Sequence, residues 1–189
     1  MTLSSIAIEK QKPARAPLTL HYLGDPVLRQ PAQRVNRIDD NIRQLAKQML
    51  QTMYAENGIG LAAPQVGVNQ QVIVVDCQPD NPATPPLILI NPEITKYSKD
   101  LCVFEEGCLS VPNVFFEVVR PRSIEVTYKD ETGRKQKLKA SGLLARVIQH
   151  EMDHLNGILF VDRVKNSVAL GEELRKKGFS LAAVKPIAS

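Results

Sequence analysis

Residues 142–155 read Gly-Leu-Leu-Ala-Arg-Val-Ile-Gln-His-Glu-Met-Asp-His-Leu, and the reading of this stretch decides the fold. Leu143, Leu144, Val147, Ile148 and Leu155 recur at helical spacing and Asn156-Gly157 offers a stop, so the spacing predicts a buried helix from Gly142 to Leu155. Within it, His150 and His154 stand at i and i+4, one above the other on a single face, where both imidazoles can reach one ion. Glu151 follows the first histidine, the place where a carboxylate can work on an ion-activated water without ligating the ion. Acids such as Glu151 and Asp153 would be costly on an apolar helix that gave them no task.

Two ligands leave a catalytic site short, because such sites use three protein ligands and keep one position open. The extended metalloprotease pattern fails here: Gly157 is in place, but Phe160 stands where the third histidine belongs. His21 is the one remaining histidine, far upstream in a turn region, and reads as an ordinary surface or packing residue. Cys108, in Glu105-Glu106-Gly107-Cys108-Leu109-Ser110, is the better candidate, since a thiolate is a strong ligand and Gly107 permits close approach. Cys77 and Cys102 read as structural. Three cysteines in no disulfide or structural-zinc spacing point to a reducing compartment.

Outward from this helix, the chain has the composition of a soluble domain. Its 189 residues are 43% hydrophobic and 23% charged, which excludes a disordered chain. No apolar run approaches the ~20 residues of a bilayer span, and no cleavable leader is visible, so a cytosolic protein is expected. A net charge of +4 with only 5% aromatics and no Trp gives no footprint for sequence-specific nucleic-acid binding. Residues 1–17, with Pro13 and Pro17, read as a flexible arm, and residues 166–189 as a basic helix or tail, largely solvated. Asp39 offers an N-cap for a helix carrying Ile42, Leu45, Ala46, Met49, Leu50 and Met53, stopped by Asn57-Gly58. Gly58 to Gly67 fails both the dinucleotide and P-loop patterns and reads as a tight backbone with small side chains. Strand signals cover Val72 to Val75, Leu87 to Ile90 (ended by Asn91-Pro92), Ile124 to Lys129 and, after a hairpin turn, Arg134 to Lys139. The expected fold is α+β: mainly antiparallel sheets around a central metal-binding HExxH helix, with an N-terminal and a C-terminal helix.

Three segments, Gly58 to Gln65, Glu106 to Ser110 and Gln149 to His154, resemble in order and spacing the three motifs of peptide deformylase in its bacterial and organellar form. The resemblance covers about residues 18 to 165, the expected catalytic domain, and includes Gly24 to Arg29 and Asn91-Pro92. It implies a metal-dependent hydrolase that removes the formyl group from N-formylmethionyl nascent chains and releases formate. It further implies Cys108, His150 and His154 as ligands of one Fe(II) per chain, with zinc, nickel or cobalt as replacements. Glu151 would take the proton of the attacking water and return it to the leaving amine, while the Gln65 side-chain amide and the Leu109 N–H stabilise the developing oxyanion.

Leu143 and Val147 precede His150 by seven and three residues and should share its face, walling an apolar space that suits a methionine side chain. The resemblance adds Ile59 and Phe104 to that pocket and Gly60 as a backbone contact. Two departures stand out. Val114-Phe115-Phe116 replaces an Arg that many bacterial relatives use to contact the peptide beyond the methionine. Arg146 occupies a position that is often aliphatic; its stem is expected to line the pocket while its guanidinium reaches solvent. The family also implies docking near the ribosomal exit tunnel through the basic segment Leu170 to Lys177. A monomer in a bacterial cytoplasm is expected, ahead of an organelle. The competing readings are a zinc peptidase of the HExxH class and a non-catalytic, ribosome-associated metal-binding module.

Overall fold

The structure is a computed structural model that describes residue 10 and residues 12–187. Much of the expected N-terminal arm, residues 1–9 and 11, lies outside the described residues. In chain order the elements are α1 (Asp40–Ala55), β1 (Gly60–Ala62), β2 (Val72–Val75), β3 (Leu87–Tyr97), β4 (Leu101–Cys108), β5 (Val111–Pro121), β6 (Ser123–Lys129), β7 (Lys135–Ser141), α2 (Gly142–Leu155) and α3 (Ser167–Lys176). Short 3-10 turns occupy Pro26–Arg29, Ala63–Val66, Phe160–Arg163 and Leu181–Ala183. One antiparallel sheet runs in the order β1-β2-β3-β6-β7, and β4-β5 form a separate two-stranded ribbon. The α+β class with antiparallel sheets and three helices therefore holds.

Strand β2 shows how the layers arise. Its Val-Ile-Val-Val run is buried on both faces, as a fully covered strand requires. Val72 and Val74 pack with Met49, Leu50 and Met53 of α1, while Ile73 and Val75 pack with Ala145, Val147 and Ile148 of α2. Helix α1 starts where Asp39 accepts hydrogen bonds from the Asn41 and Ile42 amides. It stops through a left-handed Asn57 (φ 57°), after which the Gly58 amide donates to Met53 O. Helix α2 runs over the predicted residues and is closed by Asn156 and a left-handed Gly157.

Four expectations need correction. Asn91-Pro92 does not end β3; the strand continues to Tyr97 through a register shift between Ile90 and Glu93. Asn91 adopts φ 51° and its side chain accepts from Val35 N and donates to Val35 O, so the residues that resemble a stop make a bulge instead. Strand β1 was hidden because Gly60-Leu61-Ala62 is too short to show a period. Strands β4 and β5 were missed because Gly107, Pro112, Asn113 and several acids interrupt any alternation. Finally, residues 166–187 are not a solvated tail. Leu170 and Leu174 of α3 are buried with Val111, Val114, Val118 and Phe160, and the amides of Lys185 and Ile187 donate to Asp162. Lys10 of the arm is also docked: its Nζ lies 2.9 Å from Asp76 Oδ2, a carboxylate that also accepts from Tyr54.

Because Leu174 has no exposed surface, Leu174→Ala should cost about 2–5 kcal/mol in urea unfolding. A loss below about 1 kcal/mol would mean that α3 is not part of this core.

Candidate metal centre

The apolar face of α2 is taken up by the five-stranded sheet, which turns Arg146, His150, Asp153 and His154 toward the ribbon and the residues that follow it. From the other side, β4 brings in Glu106 and Cys108 across a bulge at Gly107. A side chain at Gly107 would meet the Phe115 ring, with Cβ at 2.5 Å from its Cε1, so the exposed ring would have to shift to admit one. The Cys108 Sγ, and one ring nitrogen each from His150 and His154, lie within 4.8 Å of one another. Cys108 Sγ is 3.3 Å from His154 Nε2 and accepts from the Ser110 amide at 3.4 Å.

His150 Nδ1 is bonded to Glu106 Oε2 at 2.9 Å, which leaves Nε2 for the centre. Of the three buried side-chain atoms among the described residues that have no hydrogen-bond partner, two lie at this centre, His154 Nδ1 and Glu151 Oε2; the third, Asn69 Oδ1, is not among the centre's residues. One thiolate, two imidazoles and an orphaned carboxylate oxygen make a donor set that fits a divalent ion with an adjacent proton acceptor. Burial pushes the Glu151 carboxyl up to about 7.

Glu106 is the hub beneath the histidine. Its Oε1 accepts from Arg120 Nε at 2.6 Å and Arg146 Nη1 at 2.8 Å, and its Oε2 accepts from Arg120 Nη2 at 2.9 Å as well as His150. Burial alone would raise the pKa of this carboxyl, but the bonds from Arg120 and His150 hold it well below the usual carboxylate range. Arg120 continues to Asp153 at 2.7 Å, and Asp153 is held on its other side by Arg163 through two bonds of 2.6 Å. Asp153 thus has the task its cost demanded. The expected outward Arg146 is wrong: only 5% exposed, it donates to Glu106, to Val118 O and to Cys102 O and Sγ. A buried carboxylate within reach outcompetes solvent for a guanidinium that would otherwise be desolvated alone.

A cleft of about 480 Å3 opens onto this centre, a volume in the range of small-ligand sites. Ile59, Gly60, Gln65, Phe104, Leu109, Leu143 and Val147 all line it, together with Phe115 and Arg146. Gln65 is buried; its Oε1 accepts from the Ala62 amide, and its Nε2 donates to Ser110 Oγ at 3.1 Å and sits 3.5 Å from Cys108 Sγ. Gly60 leaves room for the acid: a Cβ there would overlap Glu151 Oε1 and come within 2.7 Å of Val147 Cγ1. His21 stands apart from the ligand group and pairs with Asp25 at 2.6 Å. The sequence reading missed Arg120 and Arg163. Arg120 carried a signal, a charged residue inside the apolar run Val118-Val119-Arg120-Pro121.

Comparison with known proteins gives a consistent answer. The family model described as polypeptide deformylase matches residues 17–169. A peptide deformylase from Synechocystis is 68% identical, covering 98% of this chain and 99% of its own length. Another from Thermosynechococcus vestitus is 58% identical over 98% and 99% of the two chains. Among solved structures, a Synechococcus elongatus peptide deformylase in complex with actinonin aligns with a TM-score of 0.92 at 62% identity, over 94% of this chain and 97% of that one. The Thermotoga maritima enzyme aligns at 0.74 and 42% identity, over 78% and 97%.

The donor set predicts one Co(II) per chain with a sulfur-to-cobalt charge-transfer band. Cys108→Ala should abolish the band and drop the bound metal well below one equivalent; an unchanged metal content would remove Cys108 from the centre.

Proposed function

The chain belongs to the peptide deformylase family, and from that premise we propose how its residues divide the work of deformylation. The enzyme is a hydrolase that takes the formyl group from the N-terminal N-formylmethionine of nascent polypeptides and releases formate. The observation that carries the residue assignment is the buried, unpartnered Glu151 Oε2 beside the Cys108–His150–His154 donor set, at the floor of an apolar cleft.

Cys108, His150 and His154 hold the ion, which when bound supplies Lewis acidity toward the formyl carbonyl and toward water. Ferrous iron is the native metal in this reading, with zinc, nickel or cobalt able to replace it. Glu151 removes the proton of the attacking water as its oxygen bonds to the formyl carbon. The same carboxyl then delivers that proton to the departing nitrogen, which leaves formate and a free amine. A carboxyl whose pKa burial brings near neutrality suits both halves of that transfer. Gln65 Nε2 and the Leu109 N–H donate to the oxyanion; Gln65 is aimed by its bond to the Ala62 amide. Ile59, Leu143 and Val147 wall the methionine side chain with Phe104 at the rim, and Gly60 offers backbone to the peptide while clearing space for Glu151.

Helix α2, with sheet on one side and ribbon on the other, is in this reading the central metal-binding element, within a catalytic domain of residues 18–165. Ribosome docking falls to α3, whose last turn and C-cap carry exposed Arg175, Lys176 and Lys177, the lysines paired with Glu173. That docking is best tested by neutralising those three side chains, because truncation after Val164 would also remove Leu170 and Leu174 from the core. No helix among the described residues is long and apolar enough to cross a membrane. We place the enzyme as a monomer in a bacterial cytoplasm; the bacterial source is what the cyanobacterial relatives support.

Formate release from formyl-Met-Ala-Ser should be high after anaerobic Fe(II) loading and lower after Zn(II) loading. Glu151→Gln should keep its metal and lose on the order of 10²–10⁴ in kcat. A fully active Glu151→Gln enzyme would remove Glu151 from proton transfer. Faster turnover with zinc than with iron would remove the iron assignment.

A further inference from the structure

We infer that Arg146 is a positioning residue: its guanidinium fixes the Glu106 carboxylate and, through it, the ring of His150. The inference rests on the metal-centre reading above and deepens it. Arg146 and His150 are separated by one turn of α2, so their side chains leave the same face of the helix and reach the same strand. The two oxygens of Glu106 divide between them, with Oε1 taking Arg146 Nη1 at 2.8 Å and Oε2 taking His150 Nδ1 at 2.9 Å. A carboxylate is planar. Fixing one of its oxygens against the helix therefore fixes where the other meets the imidazole, and so the direction in which Nε2 points.

Arg146 is itself anchored on both strands of the ribbon, which makes it more than a second cation for Glu106. Its Nη1 also donates to Val118 O of β5 at 2.8 Å, and its Nη2 donates to Cys102 O of β4 at 2.8 Å and to Cys102 Sγ at 3.1 Å. Arg120 holds the same carboxylate, but it extends to Asp153, three residues beyond His150. The two guanidiniums thus secure Glu106 to α2 on either side of His150. An aliphatic residue at 146 fills the same volume and offers no donor. It leaves Oε1 with Arg120 alone and removes a tie between the helix carrying two ligands and the ribbon carrying the third.

Outer partners of a ligating histidine set metal affinity and ligand orientation, with losses of roughly 10–100-fold when they are removed. The test compares full-length wild type, Arg146→Leu and Arg146→Lys, each loaded with Co(II). Cobalt loss to excess chelator is followed by visible absorption, and kcat and KM are measured on formyl-Met-Ala-Ser. Arg146→Leu should release cobalt about 10–100-fold faster and lose kcat with little change in KM, and Arg146→Lys should recover part of both. In a Glu106→Gln background the Leu substitution should add little, because its route to His150 has already been cut. Cobalt release and kcat equal to wild type in Arg146→Leu would overturn the inference. So would an effect confined to KM, which marks a pocket wall, or full additivity with Glu106→Gln, which marks a strand clamp acting independently of the histidine. If Arg146→Leu does not fold, Arg146→Lys alone and with Glu106→Gln decides by the same criteria. Failure of the wild type to release formate would instead sink the deformylase reading, and the cobalt release rates would still decide the role of Arg146.

Discussion

The Glu106 carboxylate cannot be buried alone, and much of the site follows from that constraint. An isolated ionised carboxylate away from water is too costly to persist, so it must be surrounded by donors. Four hydrogen bonds from Arg120, Arg146 and His150 supply them, and each donor commits a different part of the chain. Arg120 fixes the register of β5 against α2 through Asp153, Arg146 closes the ribbon onto the helix, and His150 is turned so that one nitrogen faces Cys108. Breaking such a network by deleting one member typically costs about 3–5 kcal/mol, because the remaining charges stay buried and unpaired. The polar face of α2 is thus as firmly specified as its apolar face, and the two sheets are held in one relation across it.

The legible parts of the sequence were those with a local period or a local stop. Helix α2 could be read to the residue because its apolar spacing, Asn156 and Gly157 agree. Helix α1 was equally plain from Asp39 and its methionines, and β2 from a run of β-branched residues. The HExxH pair was visible for the same reason, since one turn of helix places both histidines. Cys108 was found by what the helix lacked rather than by the strand that carries it. That strand left no pattern, because the ribbon is paired on one edge only and exposes Leu101, Val103 and Val119 on its outer side, mixed with acids.

What could not be read was long-range. Nothing local distinguishes an arginine bound for solvent from one bound for a carboxylate forty residues away, so the sequence around Arg146 points outward while the fold turns it inward. Arg120 and the bulge at Asn91 are similar, each given meaning by a partner distant in sequence. Gly60 belongs here too: it is hemmed in by a buried side chain, Glu151, that meets it only after folding.

The docking of α3 has a consequence for the order of events during synthesis. All three proposed ligands, and every strand of both sheets, precede Ser167 in the chain. Leu170 and Leu174 nevertheless complete the cluster that holds Val111, Val114 and Phe160, and Asp162 is capped by the Lys185 and Ile187 amides. A growing chain is made from its N-terminus, so the segment that seals this core leaves the ribosome after both sheets and all three proposed ligands. Until then the apolar side of β5, which begins three residues after Cys108, lacks the part of its cover that Leu170 and Leu174 supply. An enzyme that works on unfinished chains is, by this packing, one whose own core closes only after its proposed ligands and both its sheets have been made.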